Sequence, residues 1–172
     1  MASKNFESAL AAVLKHEGGW SNHPDDPGGA TMKGVIQRVY NIYRQKRGLK
    51  MQSVKHISDD EIRTIYKLQY WDAIKGDQLP SGVDYAVFDG AVNSGPRQSI
   101  KWLQRALGVD DDGQLGPITL KAALLFPDQK KLVDYMLDRR MAFLRSLRHW
   151  RSFGKGWTNR VAGVRKSAKA LA

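Results

Sequence analysis

Glu17 is the first residue in the chain placed to do chemistry. It follows Val13 by four residues and Leu14 by three, so on a helix it continues an apolar stripe instead of facing water. It also stands directly before Gly18-Gly19, where a helix would stop, at the negative end of the helix dipole. Desolvation and the dipole both disfavour the carboxylate, so both are expected to raise its pKa. A carboxyl held protonated near neutrality is what a general acid requires. The competing reading is a helix-terminal glutamate that curls out to solvent.

The segment after Glu17 adds the groups such an acid would work with. His16-Glu17-Gly18-Gly19-Trp20 runs into Asp25-Asp26-Pro27-Gly28-Gly29-Ala30-Thr31, with Gly34 just beyond. A glycine-rich loop can fold back over the helix end and present its own side chains there. Two carboxylates and a hydroxyl around one cleft suit hydrolysis of a glycosidic bond. Glu17 would protonate the leaving oxygen. Asp26 would position water or stabilise the positive charge that develops on the sugar, and Thr31 would orient the water. Plain turn chemistry accounts equally well for Asp25 and Asp26, since Asp-Pro and Gly-Gly are turn residues in any setting.

The elements that must position these groups are helical. Phe6, Leu10, Val13 and Leu14 share one helical face. A polar loop from Ser21 to Thr31 follows, with room for a small hairpin, and helical patterning resumes with Val35, Val39 and Ile42. Ser58-Asp59-Asp60-Glu61 is a capping box that opens a helix carrying Ile62, Ile65, Tyr66 and Ile74. Gly76 to Gly82 is the expected hinge. Beyond it lie helices marked by Val83, Val87, Phe88 and Ala91, then by Ile100, Leu103 and Leu107. Another starts at Gly116-Pro117, and a long last one buries Leu132, Met136, Phe143, Leu147 and Trp150. The expectation is an all-α or mainly α chain of two lobes in a single domain, residues 1–78 carrying Glu17 and residues 79–172 forming a helical lobe.

Tyr85, Asp89 and Asn93 are four residues apart and form one polar seam on a helix. Such a seam can line a sugar groove, with Asn93 bonded to an N-acetyl group and Asp89 orienting water. It can equally be a helix–helix contact with Asp89 in a salt bridge. Of the aromatics Trp20, Tyr66, Tyr70 and Trp71, the loop residue Trp20 is the one expected to pack on a sugar ring, because helically spaced aromatics are mostly core. The chain has no cysteine, and His16, His23, His56 and His149 lack metal-ligand spacing. Asp110–Gly113 lacks the full calcium-loop pattern, and no phosphate-cradling glycine motif is present. No metal or cofactor is called for.

At this point a family resemblance is visible. Glu17-Gly18-Gly19-Trp20-Ser21, with Asp26-Pro27-Gly28-Gly29-x-Thr31 and Gly34-Val35 after it, resembles glycoside hydrolase family 108. Phe88-Asp89-x-Ala91-Val92-Asn93-x-Gly95, Trp102-Leu103-Gln104-x-Ala106-Leu107-Gly108, Asp112-Gly113-x-x-Gly116-Pro117 and Gly156-Trp157-x-x-Arg160 are similar to the region that follows in such proteins. The family comprises bacterial and phage peptidoglycan hydrolases with a lysozyme-like fold. The resemblance implies N-acetylmuramidase activity with Glu17 as the acid. The order Glu17, Asp25 or Asp26, Thr31 is also similar to phage-type lysozymes. The Asp112–Gly116 segment resembles a peptidoglycan-binding turn, which can also be scaffold.

Composition sets the outer bounds. With 172 residues, 42% hydrophobic and 26% charged, the chain is an ordinary globular one. Lys+Arg of 28 against Asp+Glu of 17 gives +11. Residues 139–172 hold ten basic residues and no acidic one, which leaves 18 basic against 17 acidic, net +1, in the first 138. That tail favours an anionic polymer or surface. Arg160, Arg165, Lys166 and Lys169, interleaved with Val161, Val164, Ala168 and Leu171, suggest a basic amphipathic helix touching anionic membrane or lipopolysaccharide, or else a solvated helical face. The start lacks a signal-peptide pattern. The expected partner is peptidoglycan, without specific nucleic-acid binding, and the expected state a monomer. A phage endolysin held in the host cytoplasm until release to the wall fits these features. Lytic transglycosylase chemistry and a non-catalytic wall-binding module are the alternatives.

Overall fold

The computed structural model describes residues 4–24 and 28–172. The chain is mainly α-helical, with one small antiparallel sheet. It divides into two compact units, Leu10–Gln69, and the residues up to Ala9 together with Tyr70–Ala172. The division falls nine residues before the expected 78/79 boundary. Trp71 and Ile74 are the reason: both are fully buried, and Trp71 packs on Phe6 and Phe88 at ring-centroid distances of 5.3 Å. A large indole belongs to whichever core encloses it.

The Leu10–Gln69 unit begins inside α1 (Lys4–His16), whose stripe Leu10 and Val13 is buried as the spacing predicts. Three two-residue strands follow, β1 (Trp20–Ser21), β2 (Thr31–Met32) and β3 (Val35–Ile36), paired in that order. The small hairpin expected in this stretch is therefore present, with a third strand added. Next come α2 (Gln37–Lys46) and α3 (Asp59–Tyr66). The Ser58 hydroxyl accepts from the Glu61 amide at 3.1 Å and Glu61 accepts from the Ser58 amide at 3.2 Å, so the capping box forms as read. Glu61 also accepts from the buried Tyr40 hydroxyl at 2.9 Å and from Arg44 at 3.0 Å, which ties α3 to α2. Burial works against the Glu61 carboxylate, but the Ser58 amide, the Tyr40 hydroxyl and Arg44 outweigh it and hold its pKa down. After α3 the backbone loosens into a π-turn over Lys67–Trp71, so Ile74 does not continue that helix.

The second unit is built around α4 (Val83–Ser94), which is buried on every side from Val83 to Ala91. A helix enclosed all round loses the amphipathic pattern that marks a surface helix. It packs with α5 (Pro96–Leu107), α7 (Gln129–Arg145) and α8 (Trp150–Leu171), and α6 (Pro117–Leu125) sits on α5. The long last helix read from the sequence is in fact two. It breaks after Arg145, and Trp150 opens α8. No glycine or proline marks that break. Tight i to i+3 bonds carry it, from the amides of Ser146, Leu147 and Trp150 to the carbonyls of Phe143, Leu144 and Leu147.

The basic end of the chain is the second half of α8. Its apolar residues Val161, Val164 and Ala168 are buried in the core of this unit. Arg165 donates to Asp134 at 2.7 Å and to Asp138 at 2.9 Å, and Lys169 donates to Asp134 at 2.8 Å. The apolar face that a membrane helix would insert is therefore packed inside the protein. No helix among the described residues is long and apolar enough to cross a membrane.

Candidate functional site

Glu17 lies one residue past α1 and is half-buried. The hairpin between β2 and β3 packs its turn onto this side chain. The turn is two residues, Lys33 and Gly34, with φ of 47° and 81°. Positive φ at both positions is what a type I′ turn requires, and it matches the twist of the flanking strands. Only glycine fits the second position. A Cβ there would lie 3.1 Å from Glu17 Oε2, 3.2 Å from Glu17 Cγ and 2.3 Å from the Tyr66 hydroxyl oxygen. Bare backbone thus forms the wall beside the carboxyl group. The Tyr66 hydroxyl donates to the Lys33 carbonyl at 2.8 Å and locks the turn to α3. The Lys33 amide donates to the Gly19 carbonyl at 3.3 Å, joining the turn to the segment just after Glu17.

The two residues after Glu17 are glycines that face open space. A Cβ added to Gly18 or to Gly19 would meet nothing within 4 Å, and neither has a positive φ. The fold does not need glycine at these two positions. Their effect is to keep the approach to Glu17 free of side chains.

Trp20 and Thr31 stand in the same sheet. Trp20 pairs with Met32 and Ser21 with Thr31, so the two residues are one register step apart. Trp20 is 39% exposed, with the Lys55 ammonium 5.5 Å from its ring centre. Thr31 is half-buried and its hydroxyl donates to the Gly29 carbonyl at 3.1 Å. Asp25 and Asp26 lie outside the described residues. The helical spacing of Tyr66 places it among the core aromatics. It is 1% exposed, and its part in fixing the turn beside Glu17 leaves no local signal, because donor and acceptor are 33 residues apart.

The Tyr85–Asp89–Asn93 seam lies on α4 in the other unit. The sequence left groove lining and ion pairing open for Asp89, and the structure shows the ion pair. Asp89 is fully buried and accepts from Arg140 Nη1 at 2.7 Å, from Arg160 Nη2 at 3.1 Å and from Arg160 Nε at 3.2 Å. Asn93 Oδ1 accepts from Arg140 Nη2 at 3.1 Å. Tyr85 is 2% exposed, and burial, with Asp89 adding to it, pushes its pKa up to about 12. Tyr85 and Asp89 therefore present almost no surface to a ligand, and the seam clamps α4 to α7 and α8. Asn93 is only half-buried.

The Asp112–Gly116 turn is knit together by Gln104, which is 1% exposed. Gln104 Nε2 donates to Asp112 Oδ1 at 2.8 Å, to the Gln114 carbonyl at 2.9 Å and to the Thr119 hydroxyl at 3.1 Å. Its Oε1 accepts from the Gly113 amide at 2.9 Å. Every polar atom of that side chain is thus hydrogen-bonded to the turn or to Thr119 at the start of α6. Among the described residues no group of three or more histidines and carboxylates is placed to hold a metal ion.

Comparison with known proteins gives three findings. A family model described as glycosyl hydrolase 108 matches residues 10–95, the stretch that carries Glu17, Trp20, Thr31 and α4. A model described as a predicted peptidoglycan domain matches residues 98–162, from α5 to the middle of α8. Among solved structures the chain is similar to Brucella abortus SagA, at 38% identity over 98% of this chain and 96% of that one, with a TM-score of 0.85. No curated protein matches it.

Proposed function

This chain belongs to the glycosyl hydrolase 108 family, and from that membership we propose that it cleaves the bond between N-acetylmuramic acid and N-acetylglucosamine in peptidoglycan, with Glu17 as general acid. The chain is a glycoside hydrolase, and its partner is peptidoglycan. The observation that carries the mechanism is the setting of Glu17. Its carboxyl group lies beside the bare backbone of Gly34, and the two residues that follow it, Gly18 and Gly19, carry no side chain. In the proposed reaction this sparse setting lets a polymer reach the acid.

In the proposed reaction the Glu17 carboxyl gives its proton to the glycosidic oxygen as the bond from that oxygen to the sugar C1 breaks. Positive charge develops at C1, and the Asp26 carboxylate stabilises it or aligns a water. Water adds to C1, its second proton passes to a carboxylate, and a reducing end is left. Thr31, in the sheet beside the Glu17 turn, orients that water. The exposed face of Trp20 stacks on a sugar ring. Asn93 serves as a hydrogen-bond partner for an N-acetyl group, since this residue is only half-buried, while Tyr85 and Asp89 act only by fixing the helix that carries it.

The test is Glu17→Gln assayed on purified sacculi. Reducing-end release is expected to fall by at least about a hundredfold, the lower end of what a general acid supplies, with the circular dichroism spectrum unchanged. Near-wild-type release by this variant removes Glu17 from the mechanism. Mass spectrometry of the wild-type digest reads the outcome at C1. A reducing muramic acid end supports hydrolysis, whereas an anhydro end, lighter by one water, makes the enzyme a lytic transglycosylase. Sacculus binding with neither product makes it a non-catalytic wall-binding module.

A further inference from the structure

The outer face of α6 is apolar and uncovered. Thr119 and Lys121 are the only polar residues of this nine-residue helix, and Thr119 and Ala123 are its only buried ones. Thr119 is bonded to Gln104 of α5, on which α6 sits. At about 100° per residue, Ile118, Lys121, Leu124 and Leu125 fall within one arc of roughly 120° on the side opposite Thr119 and Ala123. Ile118, Leu124 and Leu125 are 76%, 59% and 68% exposed. A helix that is apolar all round is normally enclosed, as α4 is, but α6 is enclosed on one side only.

The patch continues onto α7. Gln129 Nε2 donates to the Ala123 carbonyl at 2.9 Å and to the Phe126 carbonyl at 3.0 Å, which closes the end of α6 and fixes the corner. The Phe126 ring meets the exposed Tyr135 edge-on, with ring centres 6.3 Å apart. Lys121, Lys130 and Lys131 are exposed and form no ion pair among the described residues. Two acids lie between Pro117 and Tyr135. Asp134 is taken by Arg165 and Lys169, and Asp128 caps α7 by accepting from the Lys131 amide at 3.1 Å. Three lysines therefore face one carboxylate, in a chain of net charge +11.

We propose that this face of α6, with Tyr135 and the three lysines, docks the protein on the surface of an anionic phospholipid bilayer. Aliphatic side chains enter the acyl boundary, the tyrosine sits at headgroup level and the lysines meet phosphates. The position of Lys121 favours lipid over a second copy of this chain. It stands in the middle of the apolar arc, and α6 has no acid to answer it in a helix-on-helix contact. At a bilayer its methylene stem lies along the apolar face while the ammonium reaches the headgroups. The proposal is independent of the chemistry at Glu17.

The experiment co-sediments the full chain with vesicles of phosphatidylcholine alone and of equal parts phosphatidylcholine and phosphatidylglycerol. Wild type is expected to prefer the mixed vesicles. Replacing Ile118, Leu124 and Leu125 together by glutamine is expected to weaken that binding about tenfold, since affinity follows the apolar area inserted. Lys121→Gln with Lys131→Gln is expected to weaken it too and to flatten its salt dependence. All five side chains are exposed, glutamine is a good helix former, and thermal unfolding midpoints verify that each variant folds. A second readout does not depend on those variants. The chain has no cysteine, so Leu125→Cys takes a single environment-sensitive fluorophore, whose emission is expected to move to the blue with mixed vesicles. Mixed-vesicle binding by the triple variant within twofold of wild type, or an unmoved emission, overturns the proposal. So does a wild-type dimer in sedimentation velocity that the triple variant dissolves, which makes a second copy the occupant, or binding confined to lipopolysaccharide aggregates.

Discussion

Replacing Gly34 with alanine tests whether the turn beside Glu17 holds the acid in place. The φ of 81° alone disfavours an L side chain by about 1–2 kcal/mol. The added Cβ would stand 2.3 Å from the Tyr66 hydroxyl oxygen, more than about 1 Å short of a relaxed non-bonded contact. Tyr66 is 1% exposed and donates to the Lys33 carbonyl at 2.8 Å, so moving the ring breaks that bond in a buried place. An unsatisfied buried partner costs about 1–3 kcal/mol. The sum is about 2–5 kcal/mol, a large part of the roughly 5–15 kcal/mol that holds a domain of this kind folded. Glu17 Oε2 and Cγ, at 3.1 and 3.2 Å from the new carbon, must give by a few tenths of an ångström. Misplacing a reacting group by about 1 Å can cost about a hundredfold in rate, so this smaller shift should cost about tenfold.

Urea unfolding measures the first effect. Reducing-end release from sacculi, at a temperature where both proteins are folded, measures the second. Tyr66→Phe supplies the control, because it removes the clashing oxygen. In that background Gly34→Ala should cost only the backbone part, about 1–2 kcal/mol, and the difference is the coupling between the two residues. Equal costs in the two backgrounds, or a cost under about 0.5 kcal/mol in the wild type, would refute the reasoning.

Two further predictions concern the α4 seam. Asp89→Asn leaves the guanidinium groups of Arg140 and Arg160 facing a neutral amide in a buried site, and is expected to cost about 3–5 kcal/mol in urea unfolding. Asp59→Asn, which breaks the exposed Lys33 pair, is expected to stay under about 1 kcal/mol, and similar costs for the two would refute the distinction. On the alkaline side, folded Tyr85 keeps its proton up to about 12, whereas the unfolded chain loses it near the ordinary value of 10.0. The stability this contributes is complete below pH 10 and is lost as pH rises toward 12, by about 3 kcal/mol in total. Unfolding midpoints at pH 9 and 11.5 should draw closer together in Tyr85→Phe, and an unchanged slope in that variant would exclude Tyr85 as a cause.

Much of the chain was legible because its signals are local. The Ser58–Glu61 capping box and the prolines opening α5 and α6 each act within one helical turn, where sequence neighbours are also spatial neighbours. The apolar stripe of Phe6, Leu10 and Val13 set the buried face of α1 for the same reason, and with it the half-buried place of Glu17. The break between α7 and α8 has no breaker residue, so periodicity ran straight through it. The sequence likewise could not choose between the two readings of Asp89. Its partners lie 51 and 71 residues away, and an aspartate written into a polar seam looks the same whether it meets water or two arginines.

By itself, then, the sequence determined the helical class and the place of Glu17 at the end of the first helix, since residue type and short-range spacing are enough for these. Only the tertiary structure decided that Gly34 and Tyr66 build the wall at Glu17, that the α4 seam is an enclosed clamp, and that the basic end of the chain is part paired and part exposed. Each of those depends on which surfaces are removed from water together, and burial is a property of the packed chain that no local stretch of residues contains.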